Sequence, residues 1–69
     1  MKEIGIKLKA KREENGIGIK EAANDLNISE SKLESIEEGR KEDFKDILSL
    51  KLIIRDYAKY LGLDGEQML

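Results

Sequence analysis

Apolar residues recur every three or four positions along most of the chain, and glycine or asparagine interrupts the pattern at intervals. This spacing is typical of amphipathic helices, because it gathers the apolar side chains on one face. It predicts helices over about residues 3–15, 19–26 and 44–61, a further helix between Ser29 and Gly39, and a short last helix over about residues 64–69. Threonine and valine are absent and no segment alternates cleanly between apolar and polar positions, so no strand is predicted. The expected fold class is all-α with five helices.

The second and third predicted helices match the helix-turn-helix template over residues 19–39. Two short helices that cross at a steep angle need a small residue at the crossing, and Ala23 stands there. The turn needs a residue that tolerates positive φ, which Asn27 supplies, and Ser29 is placed to cap the next helix. The angle between the helices is expected to be filled by aliphatic side chains, here Ala22, Leu26, Ile28, Leu33 and Ile36.

The fourth predicted helix is apolar on two faces. One stripe is expected to close the core, and it consists of Ile47, Leu50, Ile54, Tyr57, Ala58 and Leu61. A second apolar face that is not buried is a candidate surface for a protein partner. Its residues are Ser49, Leu52, Ile53, Asp56 and Tyr60. The alternative is that Leu52 or Ile53 packs beneath the last turn of the chain, against Met68 and Leu69.

The amino-acid composition limits the kinds of functional site that this chain can form. The 69 residues, 7.9 kDa in mass, allow one domain over residues 1–69, and 41% of them are charged. Cysteine and histidine are absent, which excludes zinc fingers, iron–sulfur clusters, disulfides and imidazole-based catalysis. Composition alone does not exclude a metal or acid–base site made of carboxylates. So small a domain, however, has little room for a cleft that would remove such groups from water. We therefore expect no enzyme, no cofactor, no metal site and no small-molecule substrate.

Cellular location follows from the lack of a long apolar segment. No stretch approaches the ~20 apolar residues that cross a bilayer, and the first residues lack the apolar block of a signal peptide. The expected location is the cytoplasm, with any membrane attachment provided by a segment outside this chain.

A basic stripe in the first helix is interrupted by acidic residues, and it comprises Lys7, Lys9, Lys11 and Arg12. It is interpreted as a solvated face rather than a binding patch.

Several stretches together resemble the Cro/CI (XRE, lambda-repressor-like) helix-turn-helix domain. They are Ile4-Gly5, Leu8, Lys11-Arg12-Glu13, Gly16-Ile17, Ile19, Ala22-Ala23, Leu26, Ile28, Leu33 and Ile36-Glu37-Glu38-Gly39. The resemblance implies a five-helix fold. It also implies a DNA-binding regulator that acts as a dimer and places the second helix of the motif in the major groove.

A second resemblance lies near the end of the chain, where residues 54–64 read IRDYAKYLGLD. This stretch is similar to the close of the cytoplasmic domain of RodZ-type proteins. The resemblance implies a membrane-anchored cell-shape protein whose helical domain docks onto the actin-like filament protein MreB, on the cytoplasmic face of the inner membrane. The RodZ-type pattern carries prolines where this chain has Lys45 and Ile47, and exposed aromatic residues where it has Ser49 and Ile53.

By resemblance, the residues that would face DNA are Ser29, Glu30, Ser31, Lys32 and Ser35, with Lys20, Arg40 and Lys41 as further candidates for phosphate contacts. Charge is unevenly distributed around them. Residues 1–16 hold five basic and three acidic residues, residues 17–39 hold two basic and six acidic, and residues 40–69 hold six of each. The segment that would enter the groove is thus the most acidic one. A protein-docking module of the RodZ type is therefore the first prediction, and a Cro/CI-type DNA-binding regulator is the alternative.

Overall fold

The computed structural model describes residues 2–63, which form four α-helices and one short 3-10 turn. The helices are α1 (Lys2–Glu14), α2 (Ile19–Leu26), α3 (Glu30–Glu38) and α4 (Ile47–Leu61), and the 3-10 turn covers Lys41–Asp43. The expected all-α class is confirmed over this part of the chain. The short helix expected over residues 64–69 lies outside the described residues, as do Met68 and Leu69.

The turn between α2 and α3 has the predicted chemistry. Asn27 adopts the left-handed conformation at φ 58°, and its backbone N–H closes α2 on the carbonyl oxygens of Ala23 and Asn24. Ser29 caps α3, since its hydroxyl oxygen accepts a hydrogen bond of 3.1 Å from the backbone N–H of Lys32. These two residues set the angle at which α3 leaves α2.

The fourth helix starts later than the apolar pattern suggests, at Ile47 rather than near residue 44. Asp46 stands in the extended conformation, and its carboxylate accepts a hydrogen bond of 2.7 Å from the backbone N–H of Ser49. A capping aspartate marks a helix start, because it satisfies an amide that has no partner within the helix. Phe44 is also extended, so it links the 3-10 turn to α4 instead of belonging to the helix.

One core forms where the four helices meet. Its fully buried members come from every helix and are Leu8, Ala22, Ala23, Leu33, Ile36, Leu50, Ile54, Tyr57, Ala58 and Leu61. Leu26 and Ile28 pack against this cluster while partly exposed, as does Ile4. The prediction for Ile47 is wrong, since 61% of its surface is exposed. Residues of α4 are buried only from Leu50 onward, so the first turn of the helix extends past the core.

Helices α1 and α3 approach each other closely at Gly5, in the first turn of α1. A Cβ atom built on this glycine would lie 2.5 Å from the carbonyl oxygen of Glu37, and it would also meet that of Ile36. Only a residue without a side chain therefore lets α1 lie directly on the backbone of α3. The apolar pattern assigns no packing role to Gly5, because a glycine inside a helix is silent in such a pattern.

Candidate interaction surfaces

The residues proposed to face DNA come from α2, from α3 and its cap, and from the segment that follows α3. Five of the eight are exposed, namely Lys20, Ser29, Glu30, Ser31 and Lys41. Lys32 and Arg40 are half-buried.

Ser35 is the exception, because only 3% of its surface is exposed. Its hydroxyl oxygen lies 3.0 Å from the carbonyl oxygen of Ser31 and 2.6 Å from a carboxylate oxygen of Asp43. The prediction that Ser35 faces DNA is therefore wrong in this structure. Its position fits the period of α3, but the 3-10 turn folds over it, and Ser35 holds that turn against the helix.

Two of the four candidate cations are already engaged by the same turn. The Lys32 ammonium donates to the carbonyl oxygen of Asp43 at 3.0 Å and lies 4.8 Å from the centre of the Phe44 ring. Arg40 donates to the Asp43 carboxylate at 3.1 Å and also pairs with Glu38. These contacts occupy some of the donors that phosphate contacts would use and hold both side chains against the turn.

The same contacts around the 3-10 turn lower the pKa of Asp43. Hydrogen bonds from Ser35 and then from Arg40 hold it below its ordinary value. The hydrogen bond to Asp43 in turn raises the pKa of Arg40. Asp43 is therefore ionised at neutral pH and offsets the positive charge beside it. Among residues 2–63, Lys20 and Lys41 make no ion pair.

An open groove of about 770 Å³ lies between α2 and the start of α3. Ala23 and Ile28 contribute apolar lining, and the charged lining residues are Lys20, Glu21 and Glu30. Two carboxylates thus face one ammonium group. A groove with this balance repels phosphate rather than attracting it.

The candidate docking residues of α4 divide into two groups. Ser49, Leu52 and Asp56 are exposed, whereas Ile53 and Tyr60 are half-buried and pack against the core cluster. The Tyr60 ring stacks on Tyr57, with 6.5 Å between ring centres. Its hydroxyl donates to the Asp25 carboxylate at 2.6 Å, and this hydrogen bond raises the pKa of Tyr60 to about 12. Tyr60 therefore joins α4 to α2.

A larger apolar exposure lies on the first turns of α4. Leu48 is 64% exposed and Leu52 is 43% exposed, and their separation of four residues puts them side by side. Ile47 adds to this exposure at the start of the helix. Helical spacing predicts Leu52 on this surface but does not predict Leu48 there. The spacing of four residues between Leu48 and Leu52 could have revealed this exposure. It does so only if the buried stripe of α4 is taken to begin one turn later, at Leu50 instead of Ile47.

A buried ionic network fixes the helices that carry both surfaces. The Arg12 guanidinium donates to the two carboxylate oxygens of Glu37, and Tyr57 donates to the same carboxylate. Arg12 also donates to the carbonyl oxygen of Ile17 at 2.9 Å.

The interpretation of Arg12 as part of a solvated stripe is wrong, because only 9% of the residue is exposed. Lys7 and Lys9 are exposed as expected, and Lys11 pairs with Glu14.

Metal binding and membrane spanning find no structural basis in the described part of the chain. Within residues 2–63, no three carboxylates converge where a metal ion could bind. None of the four helices is long and apolar enough to cross a membrane.

Comparison with known proteins identifies the family. The family model described as helix-turn-helix domain matches residues 7–68, which is most of the chain, so the protein belongs to that family. Domains of this family are typically non-catalytic. Neither a curated protein sequence nor a solved structure matches the chain significantly. The match is consistent with the α2–α3 geometry described above.

Proposed function

We propose that this helix-turn-helix domain has a lambda-repressor-like fold and docks onto another protein, as the cytoplasmic domain of RodZ-type proteins does. The proposed partner is an actin-like filament protein, and the proposed role is in cell-shape control. On this proposal the domain acts in the cytoplasm, at the inner face of the membrane if a segment outside this chain anchors it.

The observation that carries the proposal is the exposure of Leu48 and Leu52 on α4. Isolated apolar residues on a surface need no explanation, but two that share one helical face form a contiguous patch. The core does not use this face, because the buried residues of α4 lie on the opposite stripe. A protein partner would remove the two leucines from water and so gain from their burial.

The chemistry of the helix-turn-helix surface also supports a role other than DNA binding. Affinity for DNA begins with free lysine and arginine side chains near the groove-facing helix. Here Lys32 and Arg40 are engaged by the 3-10 turn, and Glu30 stands at the entrance of α3. Among the described residues, Arg40 is the one candidate cation that forms ion pairs, and Lys32 is held by a backbone carbonyl and the Phe44 ring. Lys20 and Lys41 have neither kind of contact.

Co-sedimentation with polymerised MreB tests the proposal. Leu48→Glu and Leu52→Glu should each weaken binding by about tenfold or more, because a carboxylate replaces an apolar contact at the interface. Both variants should keep the thermal midpoint of the wild type, since neither residue is buried. Ile6→Glu is the matched control, because Ile6 is 58% exposed and lies on α1. Equal binding by all four proteins would contradict the proposal.

The alternative function is a Cro/CI-type DNA-binding regulator. It is favoured by the exposure of Ser29, Ser31 and Lys20 around the start of α3. An electrophoretic shift assay at low salt with random duplex DNA distinguishes the two functions. A regulator should bind with a steep salt dependence and should lose affinity in Lys20→Glu. Absence of binding at micromolar protein would eliminate the alternative.

A further inference from the structure

Helix α4 carries three cations beside its two exposed leucines, and of these Lys51 and Lys59 are exposed while Arg55 is half-buried. Leu48, Leu52, Arg55 and Lys59 follow one another at spacings of four, three and four residues, so they share one face of the helix. Lys51 lies beside them, one residue before Leu52. We call these five residues the α4 face.

The cations of the α4 face make no ion pairs within residues 2–63. The helix as a whole holds these three basic residues and a single acidic one, Asp56. The α4 face is therefore locally positive in a chain whose net charge is −2. This contrasts with the α2–α3 surface, where the candidate cations are outnumbered or engaged.

We propose that the α4 face binds an acidic amphipathic segment of a partner protein. This inference rests on the proposed docking function and specifies the chemistry of the partner. Apolar side chains of the segment would cover Leu48 and Leu52, while its carboxylates would lie against Lys51, Arg55 and Lys59. Charge complementarity of this kind orients the partner and speeds association, while the apolar contact holds the complex together.

An anionic membrane fits the α4 face less well than an acidic protein segment. A helix that lies in a lipid interface buries an apolar face along its whole length. The exposed leucines of α4 are four residues apart and so cover about one turn. Asp56 borders the face, and Asp46 lies just ahead of it at the cap of the helix. Both carboxylates would meet anionic headgroups of like charge.

Nuclear magnetic resonance titration of the uniformly ¹⁵N-labelled 69-residue chain tests the inference. The probe is a synthetic helical peptide with leucines four residues apart, glutamates beside the leucines and alanine at the remaining positions. Amide shifts should saturate and should cluster at residues 48, 51, 52, 55 and 59. A peptide with lysine in place of every glutamate should cause no saturable shifts, and vesicles containing phosphatidylglycerol should cause no selective loss of the same signals.

Variants separate this inference from the proposed partner. The double change Lys51→Glu with Arg55→Glu should weaken peptide binding by about tenfold, and high salt should weaken wild-type binding, since the attraction is electrostatic and exposed. Lys7→Glu is the matched charge reversal on α1, where Lys7 is exposed, and it should bind as the wild type does.

Several results would overturn the inference. Equal binding of the lysine peptide, shifts centred on α2 and α3, or preferential binding of the vesicles would each do so. If MreB filaments bind the double variant as well as the wild type, the inference fails while the proposed function stands. If filaments do not bind but the glutamate peptide saturates the α4 face, the inference stands and the proposed partner is wrong.

Discussion

Arg12 and Glu37 form a buried bidentate ion pair between α1 and α3. The Arg12 Nε lies 2.8 Å from one carboxylate oxygen, and Nη2 lies 3.0 Å from the other. The hydrogen bond with Glu37 raises the pKa of Arg12, so the guanidinium stays charged at every accessible pH. The pair joins residues 25 positions apart in the sequence, and Tyr57 connects it to α4.

Removal of one partner of this pair should strongly destabilise the domain. Glu37→Gln leaves the buried Arg12 charge without a counter-ion, and such losses cost about 3 kcal/mol or more. Urea denaturation followed by circular dichroism measures the change in the free energy of unfolding.

The double variant Arg12→Met with Glu37→Leu is the control for this prediction. It should be more stable than Glu37→Gln, because no uncompensated charge remains in the interior. A double variant less stable than the single one would show that the pair contributes through packing rather than charge.

Gly5→Ala should destabilise the domain even though alanine favours helices over glycine. The added Cβ would meet the backbone of α3, which cannot move without separating the helices. We expect a loss of about 2 kcal/mol in the free energy of unfolding, which exceeds the gain of about 1 kcal/mol from helix propensity. Thermal unfolding of the variant beside the wild type measures the difference.

Gly18→Ala is the matched comparison, because nothing lies within 4 Å of a Cβ atom there and φ is −73°. Because Gly18 is the N-cap of α2, where alanine is less favourable than glycine, this variant should lose at most about 1 kcal/mol in the free energy of unfolding, less than Gly5→Ala. If Gly5→Ala and Gly18→Ala behave alike, α1 does not rest on α3 at Gly5.

Tyr57 should make the stability sensitive to alkaline pH. Burial, and then the hydrogen bond to Glu37, raise the pKa of Tyr57 above the unfolded value of about 10. The neutral phenol is therefore favoured in the folded state, and its contribution is complete below about pH 10. As the pH rises from there towards the folded pKa, the wild type should lose stability with a slope of up to about 1.4 kcal/mol per pH unit from this group.

Tyr57→Phe isolates that contribution. The variant should be less stable at neutral pH by about 1 kcal/mol, since it loses a hydrogen bond, and its stability should fall less steeply above pH 10. Denaturation at a series of pH values checks both effects. Tyr60→Phe is a parallel variant and should also reduce the alkaline slope, because the pKa of Tyr60 is raised to about 12. Identical alkaline slopes for Tyr57→Phe and the wild type would refute the assignment.

Asp46→Ala should destabilise α4 by about 1 kcal/mol, since the variant loses the cap that accepts from the Ser49 N–H. Asp46→Asn should retain most of the stability, because asparagine caps helices about as well as aspartate. Chemical denaturation compares the three proteins. An unchanged free energy in Asp46→Ala would mean that the helix does not depend on a start at Ile47.

Much of the local structure could be predicted from single residues and their spacing. Asn27 and Ser29 have intrinsic preferences for a left-handed turn and a helix cap, and neighbouring backbone groups satisfy both preferences. The inward faces of α2 and α3 also follow from helical periodicity. These features depend on contacts within a few residues, which is why the sequence reveals them.

The residues of the interaction surfaces could be predicted only in part from helical spacing. Of the two alternatives for Leu52 the structure shows the exposed one, and it also exposes Leu48 and Ile47, for which periodicity predicts no exposure. Periodicity orients side chains around one helix axis, but it does not say where along that axis a neighbouring helix stops. The end of the core therefore determines which apolar residues of α4 face solvent.

The sequence by itself determined the all-α class, the helix-turn-helix motif and the acidic character of the segment that would meet DNA. Only the tertiary structure decided that Arg12 is buried, that Ser35 is covered and that Leu48 is exposed. The physical reason is distance along the chain. Turns and caps are settled by adjacent residues, whereas burial is settled by elements that meet from distant positions, as α3 and α4 do where Tyr57 donates to Glu37.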